Sequence, residues 1–175
     1  MTDVTAQMVK ELRERTGAGI KECRDTLVQT AGNMQQAIEV LREKGLKVSE
    51  KVQGREASEG RLEVYMHTGN RMAALIELSC ETDFVARTDD FISLAREIAM
   101  QVAAMNPRYI RVEDVPEGSV PSDTKPEKYY EETVLLAQPY VKEPSQTIED
   151  RIKATVAKVR ENIVVRRIQR WEIGS

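Results

Sequence analysis

The sequence predicts an α+β protein: an N-terminal three-helix bundle followed by an antiparallel three-stranded sheet packed with helices. Three observations carry this. Over residues 1–46, apolar residues recur at helical spacing in three short runs divided by glycines. From 61 to 80 the spacing switches to alternation on either side of Thr68-Gly69-Asn70. The chain then returns to a wide helical stripe and closes on a β-branched run at 162–173, suited to join the hairpin as a third strand.

The first helix is expected over residues 6–16, with Thr5 as its cap and Met8, Val9 and Leu12 on one face. Gly17-Ala18-Gly19 breaks it, since two glycines this close destabilise a helix interior. The second helix carries Ile20, Cys23 and Leu27 and ends at Gly32. Asn33 caps the third, with Gln36 in the capping-box position; Met34, Ala37, Ile38 and Leu41 form its stripe, and Gly45 is expected to stop it. These residues make a domain over 1–46. Residues 47–60 are polar and read as a linker or frayed helical extension, and 61–175 form the α+β core.

In the hairpin, Leu62, Val64 and Met66 share one face, and Arg61, Glu63, Tyr65 and His67 share the other, expected to be exposed. Met72, Ala74, Ile76, Leu78 and Cys80 align on the second strand. The cover for this hairpin is the helix after Val85, whose stripe runs through Phe91, Leu94, Ala95, Ile98, Val102 and Met105. Thr82 or Thr88 can cap it, and Asn106-Pro107 ends it. Residues 107–125 read as irregular, with a short strand over 109–112 and a helix opening at Pro126. Thr147 and Asp150 form a capping box for a helix bearing Ile148, Ile152, Val156 and Val159. In the closing strand Val164-Val165 and Arg166-Arg167 break the alternation, as a bulge would.

Composition narrows the function classes. The chain has 175 residues, 41% hydrophobic and 31% charged, with a net charge of −3, which fits a soluble domain and argues against non-specific nucleic-acid binding. Arg166, Arg167, Arg170 and Trp171 set cations beside an aromatic, which suits single-stranded RNA, but Glu172 and the acidic chain favour the solvated face of a strand. No run approaches membrane-spanning length, and two distant cysteines, Cys23 and Cys80, suit a reducing cytoplasm. One histidine with those cysteines makes no zinc site, and no metal or other cofactor is expected. A Cys80–His67 dyad conflicts with the phase of the strands, and Gly17-Ala18-Gly19 lacks the strand and lysine of a phosphate loop. The chain therefore reads as neither an enzyme nor a nucleotide binder, which leaves protein–protein work.

Two stretches suit that work. Residues 13–20 expose backbone beside Leu12 and Ile20, unless the glycines only turn the chain. Residues 82–85 set an aromatic ring beside a carboxylate between two rigid elements. They read equally as a capping turn with Phe84 folded back onto the hairpin. On the residues alone both readings stand.

Val9-Lys10-Glu11-Leu12-Arg13-Glu14-Arg15-Thr16-Gly17-Ala18-Gly19, Cys80-Glu81-Thr82-Asp83-Phe84-Val85-Ala86-Arg87 and Glu161-Asn162-Ile163-Val164-Val165-Arg166-Arg167 are three stretches that span nearly the whole chain. In this order they resemble elongation factor Ts, the family of exchange factors for elongation factor Tu. The resemblance implies a ubiquitin-associated-like N-terminal domain that docks on the GTPase through Leu12, Arg13, Thr16, Gly17, Ala18, Gly19 and Ile20. It implies that Thr82, Asp83, Phe84 and Val85 reach the partner's magnesium and phosphate region, with Phe84 as a wedge. Lys21 departs from the family, where a second apolar residue is common. Longer members carry a second core half and a helical hairpin that this chain does not supply, and the resemblance implies that a second copy of a short member completes the surface. The competing expectation is a ubiquitin-associated-like module for another partner.

Overall fold

The computed structural model describes residues 4–174. The chain divides into two compact units: one takes the chain up to Arg55 with Lys153–Asn162, the other Glu56–Ile152 and the chain from Ile163 onward.

In the first unit, the Thr5 hydroxyl accepts the Met8 N–H at 3.2 Å and starts α1 (Ala6–Thr16). Gly17 ends α1 in the left-handed region, φ +67°, donating its N–H to the Arg13 carbonyl at 2.7 Å. α2 (Ile20–Gln29) follows, and the Asn33 side chain caps α3 (Met34–Val52) by accepting the Gln36 N–H at 3.0 Å. Leu12, Cys23, Leu27, Ala37 and Leu41 close the core between the three helices. One expectation is corrected here. Gly45 does not stop α3, which continues to a buried Val52 and takes in the first part of the stretch read as linker. Its glycine serves packing instead: a Cβ at Gly45 would stand 3.0 Å from that of Ala157. The close approach offsets the cost of about 1 kcal/mol that glycine carries inside a helix.

The second unit is built on β1 (Glu59–Met66), β2 (Met72–Cys80), α4 (Asp83–Ala86), α5 (Asp89–Met105), α6 (Pro126–Thr133), β3 (Pro139–Tyr140), β4 (Glu143–Thr147), the start of α7 (Ile148–Val159) and β5 (Val164–Glu172). The main sheet is antiparallel in the order β1-β2-β5, and β3 and β4 pair separately. Phe91, Leu94, Ala95, Ile98, Ala99 and Val102 of α5 are buried, together with Ala74, Ile76 and Leu78 of β2. Met105, expected in the stripe, is exposed at the helix end.

The faces of β1 are the reverse of the expected ones. Arg61 pairs with Leu78, Glu63 with Ile76 and Tyr65 with Ala74. Opposed residues share a sheet face, so these three lie with the buried residues of β2. Glu63 is buried there, ion-paired to Arg61 at 2.7 Å and to Arg96 of α5 at 3.5 Å. Leu62, Val64 and Met66 point to the other, open face and are exposed. Alternation identifies two faces but does not say which is inward; the register decides.

β5 does contain the bulge its sequence suggests. Arg167 pairs with Glu77 and Val165 with Leu78, which leaves Arg166 as the extra residue. Arg166 donates to the Ala57 carbonyl at 3.0 Å, and Arg170 to the Ala103 carbonyl near the C-terminus of α5 at 2.8 Å. The last turn of a helix favours such a cation.

Residues 107–147 return to α5 through a buried amide network. Gln101 donates to Gln138 at 3.2 Å and to the Pro139 carbonyl at 3.1 Å, and accepts the Val141 N–H at 3.0 Å. The strand expected at 109–112 is reduced to one bridge, Tyr109 to Val134, followed by a 3-10 turn at Val112–Asp114. The Thr147–Asp150 capping box forms as read: the Thr147 N–H reaches the Asp150 carboxylate at 3.0 Å, and the Asp150 N–H reaches the Thr147 hydroxyl at 3.1 Å.

Candidate functional site

The turn after β2 is assembled from small, local hydrogen bonds. Thr82 caps α4, its hydroxyl accepting the Val85 N–H at 3.4 Å. Thr88 caps α5 by accepting the Phe91 N–H at 3.3 Å, and its own hydroxyl donates to the Val85 carbonyl at 2.8 Å. Each threonine offered as a cap therefore serves a different helix. Cys80 is fully buried, and its thiol donates to the Thr82 carbonyl at 3.1 Å. Ala86 is buried beneath the turn. The four residues of α4 are thus fixed at both ends and from below.

Phe84 projects from this fixed turn. Its ring is 78% exposed, more than any other large apolar side chain among the described residues. It does not pack back onto the hairpin. A single exposed apolar side chain is common on protein surfaces; this one differs in sitting on a turn fixed at both ends. Asp83 is part-exposed beside it and pairs with Arg87 at 2.8 Å. Val85 is half-buried. Thr82, Asp83, Phe84 and Val85 thus form one small protrusion with an aromatic tip and an acidic flank.

The second expected patch lies on the bundle. Arg13, Gly19 and Ile20 are exposed, with Ile20 at 61%, while Thr16, Gly17 and Ala18 are half-buried. Thr16 organises the turn: its hydroxyl donates to the Leu12 carbonyl at 2.7 Å and accepts the Ala18 N–H at 3.3 Å. Leu12 is placed otherwise. It is fully buried in the bundle core, so it supports this surface without forming part of it. Arg13 and Ile20 line a groove of about 470 Å³ with Val4, Val9, Lys10 and Arg24. Three cations around aliphatic side chains suit an acidic, partly apolar partner segment. Lys10 and Arg24 were not singled out in the sequence. Their spacing held the signal, since Arg24 is one turn from Ile20 and Lys10 one turn from Arg13.

Cys23 sits under the same turn with its thiol directed at the Ala18 carbonyl, 3.6 Å away. Burial pushes this thiol above its ordinary pKa, and the Thr16 hydroxyl pulls it partly back. A protonated thiol is a poor nucleophile. Cys80 pairs across the sheet with Glu59, whereas His67 lies beyond Met66 at the opposite end of β1 and contacts Tyr65 at 3.1 Å. The two are separated by the length of the hairpin, roughly 27 Å at the usual strand rise, so they form no dyad. Among the described residues, no three His, Cys, Asp or Glu side chains come together as metal ligands, and no helix is long and apolar enough to cross a membrane.

Both patches fall within the stretch matched by a family model. Residues 2–126 match the model for elongation factor TS. The chain is 47% identical to an elongation factor Ts of Herpetosiphon aurantiacus, with 98% of each chain covered. It is 45% identical to that of Carboxydothermus hydrogenoformans, over 98% of this chain and 89% of the relative. It is 46% identical to that of Desulfitobacterium hafniense, over 99% and 91%. Similarity of this extent is not local to a motif, and the chain belongs to the elongation factor Ts family, whose members serve translation elongation in protein biosynthesis.

Proposed function

We propose that this protein is the guanine nucleotide exchange factor of elongation factor Tu, acting in the cytoplasm. It binds the GTPase and promotes release of GDP and magnesium so that GTP can load. The observation that carries this is the Phe84 ring, exposed on a turn fixed at both ends. A rigid apolar tip loses little entropy on insertion, so more of its burial energy is available to displace what it meets. Asp83 brings a carboxylate to the partner's magnesium and phosphate region, where it competes with the groups that hold the ion. The groove between Arg13 and Ile20 anchors the factor on the GTPase.

No bond is made or broken in this role, and the protein binds neither nucleotide nor nucleic acid itself. Exchange follows from coupling: a factor that binds the empty GTPase more tightly than the loaded one weakens the nucleotide by the same factor. A nucleotide held at about nanomolar affinity is bound by roughly 12 kcal/mol, and a thousandfold weakening takes about 4 kcal/mol of differential contact.

The open sheet face supports a second copy of the chain as a further partner. Leu62, Val64, Met66 and Trp171 are all exposed, and all lie on that face by register. Closing two such faces buries both apolar surfaces and presents two wedges.

Release of fluorescent GDP from purified elongation factor Tu tests the role. Substoichiometric protein should accelerate release at every GDP concentration below saturation. No acceleration at any factor concentration refutes the role. Capture of a ubiquitin-like fold in place of the GTPase replaces it with the binding-module alternative.

A further inference from the structure

We infer that Lys158 is a positioning residue for the Gly17-Ala18-Gly19 turn, and that the end of α7 braces the surface by which the bundle docks. The inference rests on the anchoring role proposed above, but its geometry lies within one compact unit.

Residues 153–162 are tied to the bundle and to the chain that leaves it. Ala157 occupies the space left by the missing side chain of Gly45, as described above. Arg160 approaches Glu22 of α2, Nη2 to Oε2, at 3.9 Å. Asn162 donates to the Arg55 carbonyl at 2.7 Å. Lys158 reaches the docking turn itself. A Cβ built on Gly17 would lie 2.0 Å from Lys158 Cε and 2.8 Å from both Cδ and Nζ. The lysine stem therefore covers the face of Gly17 where any other residue would carry a side chain.

Two physical consequences follow. Gly17 is constrained twice, by its left-handed φ of +67° and by the lysine above it. The stem also limits outward movement of the turn, in which Ala18 packs on the bundle core while a Cβ on Gly19 would meet nothing within 4 Å. The ammonium meanwhile stands beside the C-terminus of α1, where a positive charge is favoured. Within the three-helix bundle the turn is held by Thr16, by the Gly17 N–H on the Arg13 carbonyl and by Cys23, whose N–H reaches the Gly19 carbonyl at 2.9 Å. The fold adds a clamp from far along the chain, so the conformation presented to the partner is set before contact. Loss of the clamp transfers the ordering of the turn to the binding step, and affinity falls while the exchange step stays as it was.

The test compares wild type, Lys158→Ala and Lys158→Arg in GDP release from elongation factor Tu, with amide hydrogen exchange on the free proteins. Lys158→Ala should raise the half-saturating concentration by about fivefold or more, the scale for ordering one backbone residue, with the saturating rate unchanged. Lys158→Arg, which keeps a long stem, should restore most of the affinity. The Gly17, Ala18 and Gly19 amides should exchange faster in Lys158→Ala, with the α3 core amides unaffected. An unchanged half-saturation point for Lys158→Ala beside an active wild type overturns the brace, as does a fall in saturating rate alone. If wild type fails to accelerate release, the exchange role falls, and unaltered turn amides in Lys158→Ala overturn the brace independently.

Discussion

Replacing Phe84 by alanine separates the proposed wedge from the stability of the fold. The ring is 78% exposed, so about four-fifths of its surface is still available for burial against a partner. Burying a whole phenylalanine side chain contributes about 1.5–3 kcal/mol, which leaves roughly 1.2–2.4 kcal/mol for the complex and only about 0.3–0.6 kcal/mol for the folded chain. Phe84→Ala should therefore unfold at nearly the same denaturant concentration as wild type. Its acceleration of GDP release should fall roughly eight- to sixtyfold at saturating factor. The loss belongs in the saturating rate, because the docking groove on the bundle is untouched. Stopped-flow release of labelled GDP over a range of factor concentrations gives both parameters. A folded Phe84→Ala protein that accelerates release to within twofold of wild type refutes the wedge, whatever its affinity.

Three further outcomes are expected. Gly19 has ordinary extended backbone (φ −63°, ψ 150°) at the N-cap of α2, with no cap side chain and open space beside it. Gly19→Ser should stabilise the bundle by a few tenths of a kcal/mol while raising the half-saturating concentration for exchange, and improved affinity would count against docking through this turn. Val64→Glu places a charge in the open apolar face of the sheet; if two copies close that face, sedimentation should show a dimer for wild type and a monomer for the variant, and identical behaviour of the two removes the dimer. Burial raises the Cys23 thiol pKa, so the folded state holds this proton more tightly than the unfolded chain. That contribution is fully present below the unfolded thiol value, near 8.5, and is lost as pH climbs through the raised folded value. Denaturation midpoints measured across this alkaline window should fall more steeply for wild type than for Cys23→Ala. Tyr140, raised by burial and then by Glu97, adds a loss of the same sign at higher pH in both proteins.

The sequence made the elements legible wherever local chemistry settles them. Thr5, Asn33 and the Thr147–Asp150 pair cap the helices they were read to cap, and of the two threonines offered for α5 it is Thr88 that caps it, because a cap is decided within four residues. The β5 bulge was legible for a similar reason: two apolar and two charged neighbours cannot both keep a period of two. What failed depended on distant parts of the chain. Gly45 looks like a helix stop until Ala157 arrives beside it. β1 looks as though its aliphatic side chains must face the helix, yet its pairing with β2 turns Glu63 inward, where two arginines compensate its charge. The apolar face of β1 was visible in the pattern; its being the open one was not. The candidate site shows the same division. Its capped turn is local and was legible, whereas the exposure of Phe84 and the burial of Leu12 are set by packing.

The energetics explain why a wedge alone is insufficient and what the bundle must add. At most about 2.4 kcal/mol from Phe84 falls short of the roughly 4 kcal/mol that a thousandfold weakening of the nucleotide takes. The remainder has to come from contacts that also differ between the loaded and empty GTPase, and the contact proposed for Asp83 with the partner's metal site is of that kind. Contacts made equally with both states raise affinity but leave the release rate of the complex unchanged. The basic groove around Arg13, Ile20 and Arg24 is proposed for this second class, holding the factor on the GTPase without acting on the nucleotide. The two patches accordingly meet different structural demands. The proposed wedge calls for stiffness, because compliance would let the ring yield before the metal site does, and the two threonine caps with the buried Cys80 and Ala86 supply it. An anchor needs only to be formed in advance, and a glycine turn held by Thr16 beneath a lysine stem meets that requirement.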